Sequence, residues 1–178
     1  MSGNAFANFA HVGICGSGTM GAGLAEVIAR AGIDVIVCSR TTDGAEAMLG
    51  AVTSTLAKQV SKGKLSEEDK SKILSHVRIT SSLTDLTNCD LVIESIVEDL
   101  AAKQQLFTEL DRIVNKDAIL ATNTSTLAVF EMARMTQRPD RVCGIHFFNP
   151  AVVMPLVEII RPITTSDETI ARVVAFVE

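Results

Sequence analysis

The chain has 178 residues, which is enough for one domain with a sizeable core and marginal for two. Apolar residues make up 47% and charged residues 21%, and the formal net charge of −5 disfavours nucleic-acid binding, which needs a basic face. No apolar run reaches the length of a membrane span, and the N-terminus lacks the features of a secretory signal. We expect a cytoplasmic protein with a disordered leader over residues 1–9 and one domain over residues 10–178.

Strand and helix signals alternate along the chain. The predicted strands are short and apolar and lie at residues 11–15, 34–38, 77–80, 90–95, 118–123, 141–148 and 155–160. The predicted helices lie at residues 18–31, 43–61, from 66–69 onward, at 99–115, near 126–135 and from Ser166 onward. Alternation of this kind predicts βαβ units, so we expect an α/β fold with a mostly parallel sheet flanked by helices. A helical hairpin would be inserted after the second strand.

The last predicted helix has an apolar stripe formed by Ile170, Val173, Val174 and Val177. Neither a glycine stop nor a polar tail follows it. An apolar helix face without a partner predicts that the chain is cut inside a larger protein.

The four cysteines each lie in or beside an apolar segment, and none belongs to a CxxC pair. They are Cys15, Cys38, Cys89 and Cys143. This placement is typical of buried thiols in a reducing compartment, and the sequence predicts no metal site.

The segment GSGTMG at residues 16–21 matches the pattern GxGxxG. It follows a predicted strand and opens a predicted helix, which is the context that gives the pattern its meaning. The first glycine permits the tight turn, the second lets the backbone approach a pyrophosphate, and the third allows close packing of helix on strand. The pattern predicts a Rossmann-type dinucleotide site; a glycine-rich turn without a ligand is the alternative. The expected cofactor contacts here are Gly16, Gly18, Thr19, Met20 and Gly21.

The second predicted strand is followed by Ser39 and Arg40, where a site for NAD carries an Asp or Glu that binds the ribose hydroxyls. An arginine there can bind a 2′-phosphate in bidentate fashion, and nearby hydroxyls can add hydrogen bonds. The charge argument therefore favours NADP(H), with NAD(H) as the alternative. The other interpretation is that Arg40 is a solvated surface residue in a site of relaxed specificity.

Three further segments carry polar groups at strand ends or in strands: NTST at 123–126, GIHFFNP at 144–150 and LVEII at 156–160. Taken singly, His146 could be a core histidine and Ser125 a helix cap. Glu158 lies within an apolar strand, where a carboxylate is costly unless it is paired. His146 is the natural candidate partner.

Together with the glycine segment, these motifs resemble the N-terminal NAD(P)-binding domain of the 3-hydroxyacyl-CoA dehydrogenases, most closely the 3-hydroxybutyryl-CoA dehydrogenase type. The resemblance runs over nearly the whole chain, through VGICGSGTMGAGLA, DLVIESIVEDLAAK, ATNTSTL, GIHFFNP and LVEII. The pattern GxHFFNP with a glutamate 12 residues after its histidine is highly specific.

The resemblance implies catalytic roles. His146 would be the base for the 3-hydroxyl group, and Glu158 would pair with it and stabilise the imidazolium. Ser125 would bond to the substrate oxygen, and Asn149 would lie beside the reacting centre. Histidine suits this work because it exchanges a proton near neutral pH while hydride moves to or from the nicotinamide.

The resemblance also implies binding roles. Glu98, Lys103 and Asn123 would contact the cofactor. Thr55 and Lys62 would contact coenzyme A. The flanking basic residues are Lys58 and Lys64, for which an ordinary solvated helix face is the alternative.

The chain departs from the family pattern in two ways. Most members carry an Asp where Ser39 stands and prefer NAD, so the NADP prediction is specific to this sequence. The family also continues into a helical C-terminal domain, which supplies a catalytic asparagine, much of the acyl pocket and the dimer interface. We therefore expect the full-length protein to be a homodimer through that domain, and the present chain to bind cofactor with weak or no activity.

The function that the resemblance implies is oxidoreduction between a 3-hydroxyacyl-CoA and a 3-oxoacyl-CoA, with 3-hydroxybutyryl-CoA and acetoacetyl-CoA as the expected pair. One alternative is the same chemistry on a group bound to an acyl carrier protein, in the synthesis of polyketide extender units. Another is a non-catalytic, crystallin-like member of the family.

Overall fold

The computed structural model describes residues 9–178. The predicted disordered leader lies outside these residues except for Phe9, which is only 4% exposed. Phe9 packs edge-on against Phe176, with ring centroids 5.4 Å apart. The described fold therefore includes residue 9, one position before the predicted start of the domain at residue 10.

The described residues form a seven-stranded sheet in the order β3-β2-β1-β4-β5-β6-β7. All neighbouring strands are parallel except β6 and β7, which are antiparallel. The strands are β1 His11–Cys15, β2 Asp34–Cys38, β3 Val77–Thr80, β4 Leu91–Glu94, β5 Ile119–Thr122, β6 Val142–Phe147 and β7 Val157–Ile160. The seven predicted strands are confirmed, and the order reverses between β1 and β4, which is where α/β sheets bind ligands.

Six α-helices connect or follow these strands within the described residues. They are α1 Thr19–Arg30, α2 Thr42–Ser61, α3 Glu67–Ser75, α4 Leu100–Ile113, α5 Phe130–Ala133 and α6 Asp167–Val177. The predicted hairpin after the second strand is confirmed as α2 and α3. None of the helices in the described part of the chain is both long and apolar enough to cross a membrane.

The helix predicted near 126–135 is shorter than expected, because its first residues form hydrogen-bonded turns. The Thr124 hydroxyl accepts hydrogen bonds from the backbone N–H groups of Thr126 and Leu127. A side chain that binds the backbone in this way competes with helix formation. Within residues 126–135 only α5, Phe130–Ala133, is α-helical, and the residues between β5 and α5 form a loop.

Helix capping distinguishes α1 from the other long helices. Thr41, Ser66, Asp99 and Ser166 each accept a hydrogen bond from a backbone N–H in the first turn of the helix that follows. Among the described residues, no side chain caps α1, whose N-cap is Gly18. The first N–H groups of α1 are therefore available to a ligand.

The four cysteines are buried free thiols, as predicted. Burial, followed by the neighbouring Cys38 and Glu94, raises the pKa of Cys15 well above its ordinary value. Burial likewise raises the pKa of Cys38 and Cys89 to about 11 and that of Cys143 to about 12. The reactive thiolate is therefore scarce at these positions, roughly one thiol in a thousand at pH 8 for a pKa near 11.

We predict that the native protein reacts very slowly with a thiol reagent such as dithionitrobenzoate at pH 8. Unfolding in guanidinium should release all four thiols for rapid reaction, because both burial and the raised pKa are then lost. The measurement is the number of thiols labelled over minutes with and without denaturant. Rapid labelling of one or more thiols in the native protein would contradict the prediction.

Candidate active site

A cleft of about 530 Å³ opens at the carboxyl ends of the central strands, beside the point where the strand order reverses. Its lining residues come from the start of α1, the segment after β4, helix α4, the loop after β5, and the end of β6 with the two residues after it. They are Gly18, Thr19, Met20, Ser95, Ile96, Val97, Glu98, Lys103, Asn123, Ser125, His146, Phe147, Phe148 and Asn149. The structure thus brings most of the predicted cofactor and catalytic residues into one cleft.

The turn between β1 and α1 depends on two glycines. Gly16 has a φ of +122°, and a Cβ added there would lie 2.4 Å from the carbonyl oxygen of Ser95. A Cβ at Gly21 would lie 2.0 Å from the carbonyl oxygen of Gly16. Both distances are far inside van der Waals contact, so the turn can pack against the end of β4 only with glycine at these positions.

The packing of the protein does not require glycine at position 18, because a Cβ there would meet no described atom within 4 Å. It is exposed at the uncapped start of α1 and faces the cleft. A backbone that is open to approach and has unpaired N–H groups suits a pyrophosphate. The residues present therefore fit a nicotinamide dinucleotide, whose phosphates would bind the start of α1.

We predict that a substitution at Gly16 lowers the stability of the fold and that a substitution at Gly18 weakens dinucleotide binding. Gly16→Ala should destabilise the fold by roughly 2 kcal/mol or more, because its side chain meets the Ser95 backbone in a left-handed conformation. Gly18→Ala should leave the melting temperature nearly unchanged but weaken dinucleotide binding by about tenfold or more, because its Cβ occupies the path of the phosphates. Thermal denaturation and isothermal titration calorimetry measure the two effects.

Gly50→Ala is the matched control. Gly50 lies in α2, where an added Cβ again meets no described atom within 4 Å. This change should raise stability by roughly 0.5–1 kcal/mol, as alanine does in a helix, and leave binding unchanged. If Gly18→Ala binds the dinucleotide as tightly as Gly50→Ala does, the assignment of the phosphate site to the start of α1 is wrong.

The end of β2 carries Ser39 and Arg40 in different environments. Ser39 is 7% exposed, and its Oγ lies 2.8 Å from the Oγ of Ser17 in the glycine turn. Arg40 is exposed and makes no hydrogen bond or ion pair with any residue from 9 to 178. Ser39 therefore ties the end of β2 to the turn, and the guanidinium of Arg40 is available to an anionic ligand.

His146 and Glu158 form the predicted pair. They are register partners on β6 and β7, and the Nδ1 of His146 lies 2.8 Å from Oε2 of Glu158. The expectation that Glu158 is buried is wrong: its side chain is 54% exposed, because β7 is the edge strand of the sheet. The pair occupies Nδ1 and leaves Nε2 as the nitrogen that can act on a ligand in the cleft.

Ser125 and Asn123 lie on the loop that follows β5. Ser125 is exposed and lines the cleft, without a hydrogen-bond partner for its hydroxyl among residues 9–178. The Oδ1 of Asn123 accepts a hydrogen bond of 2.8 Å from the backbone N–H of Phe147, which joins this loop to β6. The loop therefore presents the Ser125 hydroxyl to the same cleft as His146.

Lys103 lines the cleft but is 1% exposed. Its Nζ lies 2.5 Å from Oε1 of Glu94 and 3.2 Å from Oε2 of Glu98. Glu94 has no exposed surface, and sequence reasoning missed it. The signal was present, because Glu94 ends an apolar strand, where a carboxylate needs a partner, and Lys103 follows nine residues later.

Glu98 is held as a carboxylate at the rim of the cleft. Burial raises the pKa of Glu98, but the hydrogen bond from Thr124 and the nearby Lys103 ammonium outweigh it, so the pKa lies below its ordinary value. The side chain is 41% exposed and also accepts a hydrogen bond of 3.1 Å from the Thr126 hydroxyl. Glu98 therefore presents a negative charge to any ligand in the cleft at neutral pH.

The two residues predicted to contact coenzyme A do not line this cleft. Thr55 lies on α2 and Lys62 caps the C-terminal end of that helix, and both are exposed. Asn149, in contrast, is an exposed residue of the cleft. A coenzyme A contact at Thr55 and Lys62 would therefore lie outside the cleft that holds Ser125 and His146.

A sequence profile of the family described as 3-hydroxyacyl-CoA dehydrogenase, NAD binding domain, matches residues 11–178. The 3-hydroxybutyryl-CoA dehydrogenase of Mycobacterium tuberculosis (strain CDC 1551 / Oshkosh) is 44% identical over 170 residues, which is 93% of this chain and 58% of that protein. A protein of the same name from Clostridioides difficile is 46% identical over 156 residues, 88% of this chain and 56% of that protein.

Solved structures agree with these matches. The (S)-3-hydroxybutyryl-CoA dehydrogenase from Ralstonia eutropha has a TM-score of 0.93 and 38% identity, over 96% of this chain and 60% of that one. The chain thus spans little more than half the length of the curated relatives it matches. These comparisons confirm the resemblance found in the sequence motifs.

Proposed function

Because the chain belongs to the 3-hydroxyacyl-CoA dehydrogenase family, we propose that it is the cofactor domain of an oxidoreductase that interconverts 3-hydroxyacyl-CoA and 3-oxoacyl-CoA. The expected substrate pair is 3-hydroxybutyryl-CoA and acetoacetyl-CoA, as the names of the relatives suggest. The observation that carries the proposal is that His146, which is paired with Glu158, lines the same cleft as Gly18 at the start of α1.

The residues of the cleft have separate tasks in this reaction. A bound nicotinamide supplies or accepts the hydride. In the reductive direction, His146 gives a proton to the substrate oxygen as the carbonyl carbon receives hydride, and Glu158 stabilises the imidazolium that precedes this transfer. Ser125 donates a hydrogen bond to the same oxygen as negative charge develops on it. In the oxidative direction His146 removes the hydroxyl proton.

The proposed cofactor is NADP(H). Ser39 places no carboxylate at the end of β2, so a 2′-phosphate meets no like charge from this position. Arg40 is exposed and makes no ion pair within residues 9–178, so its guanidinium can bind that phosphate. An NADPH preference would favour the reductive direction.

Replacing the positive charge after β2 by a negative charge should reverse the preference between NADP(H) and NAD(H). We predict that the double variant Ser39→Asp/Arg40→Ala binds NAD(H) more tightly than NADP(H), because a carboxylate repels the 2′-phosphate and binds the ribose hydroxyls. The change in relative affinity should be about tenfold or more, measured by calorimetric titration of all four nucleotides. A wild-type chain that binds NADH as tightly as NADPH would rule out the assigned preference.

The reaction is tested by comparing two lengths of the protein. We predict that the 178-residue chain binds cofactor but turns over acetoacetyl-CoA slowly or not at all. A chain that also carries the family's helical second domain should be active and homodimeric. Robust turnover by the 178-residue chain alone would contradict this expectation, and a spectrophotometric NADPH assay measures it.

His146→Gln in the longer chain should lower kcat by about a hundredfold or more, because glutamine cannot exchange the proton. An inactive longer chain with wild-type His146 would favour a non-catalytic family member. Assays with coenzyme A and acyl-carrier-protein thioesters of the same acyl group would identify the carrier.

A further inference from the structure

A closed set of polar contacts lies beneath the cleft at the ends of β4 and β5. Glu94 accepts hydrogen bonds from the Lys103 ammonium at 2.5 Å and from the Thr122 hydroxyl at 2.7 Å. The Thr122 hydroxyl accepts the backbone N–H of Thr124 at 3.2 Å, and the Thr124 hydroxyl donates to Glu98. Glu98 lies 3.2 Å from Lys103 and closes the set. We call these five residues the Glu94 network.

The charge of the Glu94 network does not cancel. It contains two carboxylates and one ammonium, so it carries one net negative charge. The interior members are almost fully shielded from water: Glu94, Lys103, Thr122 and Thr124 are 0–4% exposed. Glu98 and Lys103 both line the cleft, but only Glu98 is substantially exposed there, with its side chain 41% exposed. The net negative charge of the network therefore lies toward the cleft surface, where it can act on a ligand.

The network lies between the two ends of the proposed cofactor site. The phosphates belong at the start of α1, and the hydride must reach a substrate held near His146 and Ser125. Residues 95–98 and Lys103 line the same cleft as Gly18, Ser125 and His146. A dinucleotide with its phosphates at the start of α1 and its nicotinamide near His146 would therefore share the cleft with these residues. An oxidised nicotinamide carries one more positive charge than a reduced one.

We infer that the Glu94 network selects the oxidation state of the cofactor: its net negative charge stabilises the oxidised nicotinamide more than the reduced one. This inference rests on the proposed function. By linkage, the bound reduced cofactor becomes a stronger hydride donor, since the charge that forms on the ring when hydride leaves is stabilised. Glu98 supplies the charge at the cleft, while Glu94 and Lys103 are positioning residues that hold it.

The test measures the dissociation constants of NADP⁺, NADPH, NAD⁺ and NADH on the 178-residue chain at low ionic strength. Glu98→Gln keeps the shape of the side chain and removes its charge. We expect it to raise the ratio Kd(oxidised)/Kd(reduced) by about threefold to tenfold. A tenfold change corresponds to ~30 mV in the potential of the bound two-electron couple. A purely structural role of Glu98 would weaken both oxidation states equally.

Two further variants make the result specific. Glu168→Gln is the charge control, because Glu168 is an exposed residue in the first turn of α6, outside the cleft, and it should leave the ratio unchanged. Glu94→Gln keeps an acceptor for Lys103 and should raise the ratio in the same direction as Glu98→Gln. Thermal denaturation checks that both cleft variants are folded.

The outcomes separate the two levels of the proposal. If no nucleotide binds the wild-type chain, the proposed cofactor site fails, and this inference fails with it. If the nucleotides bind but Glu98→Gln leaves the ratio within twofold of wild type, the cofactor site stands and the electrostatic role is refuted. A shift with Glu98→Gln but none with folded Glu94→Gln would refute the network as a unit and leave Glu98 as a simple contact.

Discussion

The parallel pairing of β1 with β4 is the constraint on which the site depends. Its register places Cys15 opposite Glu94, so the glycine turn and the end of β4 leave the sheet side by side. The backbone can then approach so closely that a Cβ at Gly16 would clash with the Ser95 carbonyl. The same strand end supplies the buried carboxylate of Glu94. One pairing therefore positions both the glycine turn and the buried carboxylate beneath the cleft.

Retention of a buried ion pair at this point has a physical cost. Desolvating Glu94 and Lys103 can cost as much as their attraction returns, while removing either partner alone leaves a buried charge and costs about 3–5 kcal/mol. Such a pair is weak evidence for stability in itself. Here it is joined to the hydroxyl of Thr122 and to the partly exposed Glu98, so its geometry determines what the cleft presents to a ligand.

The strands and the glycine turn could be predicted from local sequence pattern, and most of the predicted cleft residues came from the resemblance to a known family. Strand ends on one edge of a parallel sheet must converge, and so Ser125 and His146 could be expected to meet. The exposure of individual side chains and their hydrogen-bond partners were not predictable in the same way. The exposure of Glu158 depends on β7 being an edge strand, and the pairing of Ser39 with Ser17 depends on how two turns pack. Glu94 was missed although it ends an apolar strand, because the sequence does not show which residue is its buried partner.

The carboxylates of Glu158 and Glu94 lie in contrasting environments. Glu158 is half exposed and bonds to His146, so this carboxylate remains in contact with water. Glu94 is wholly buried and bonds to a lysine, so this carboxylate is shielded from water and held in one position. The first arrangement suits proton transfer and the second suits a constant field.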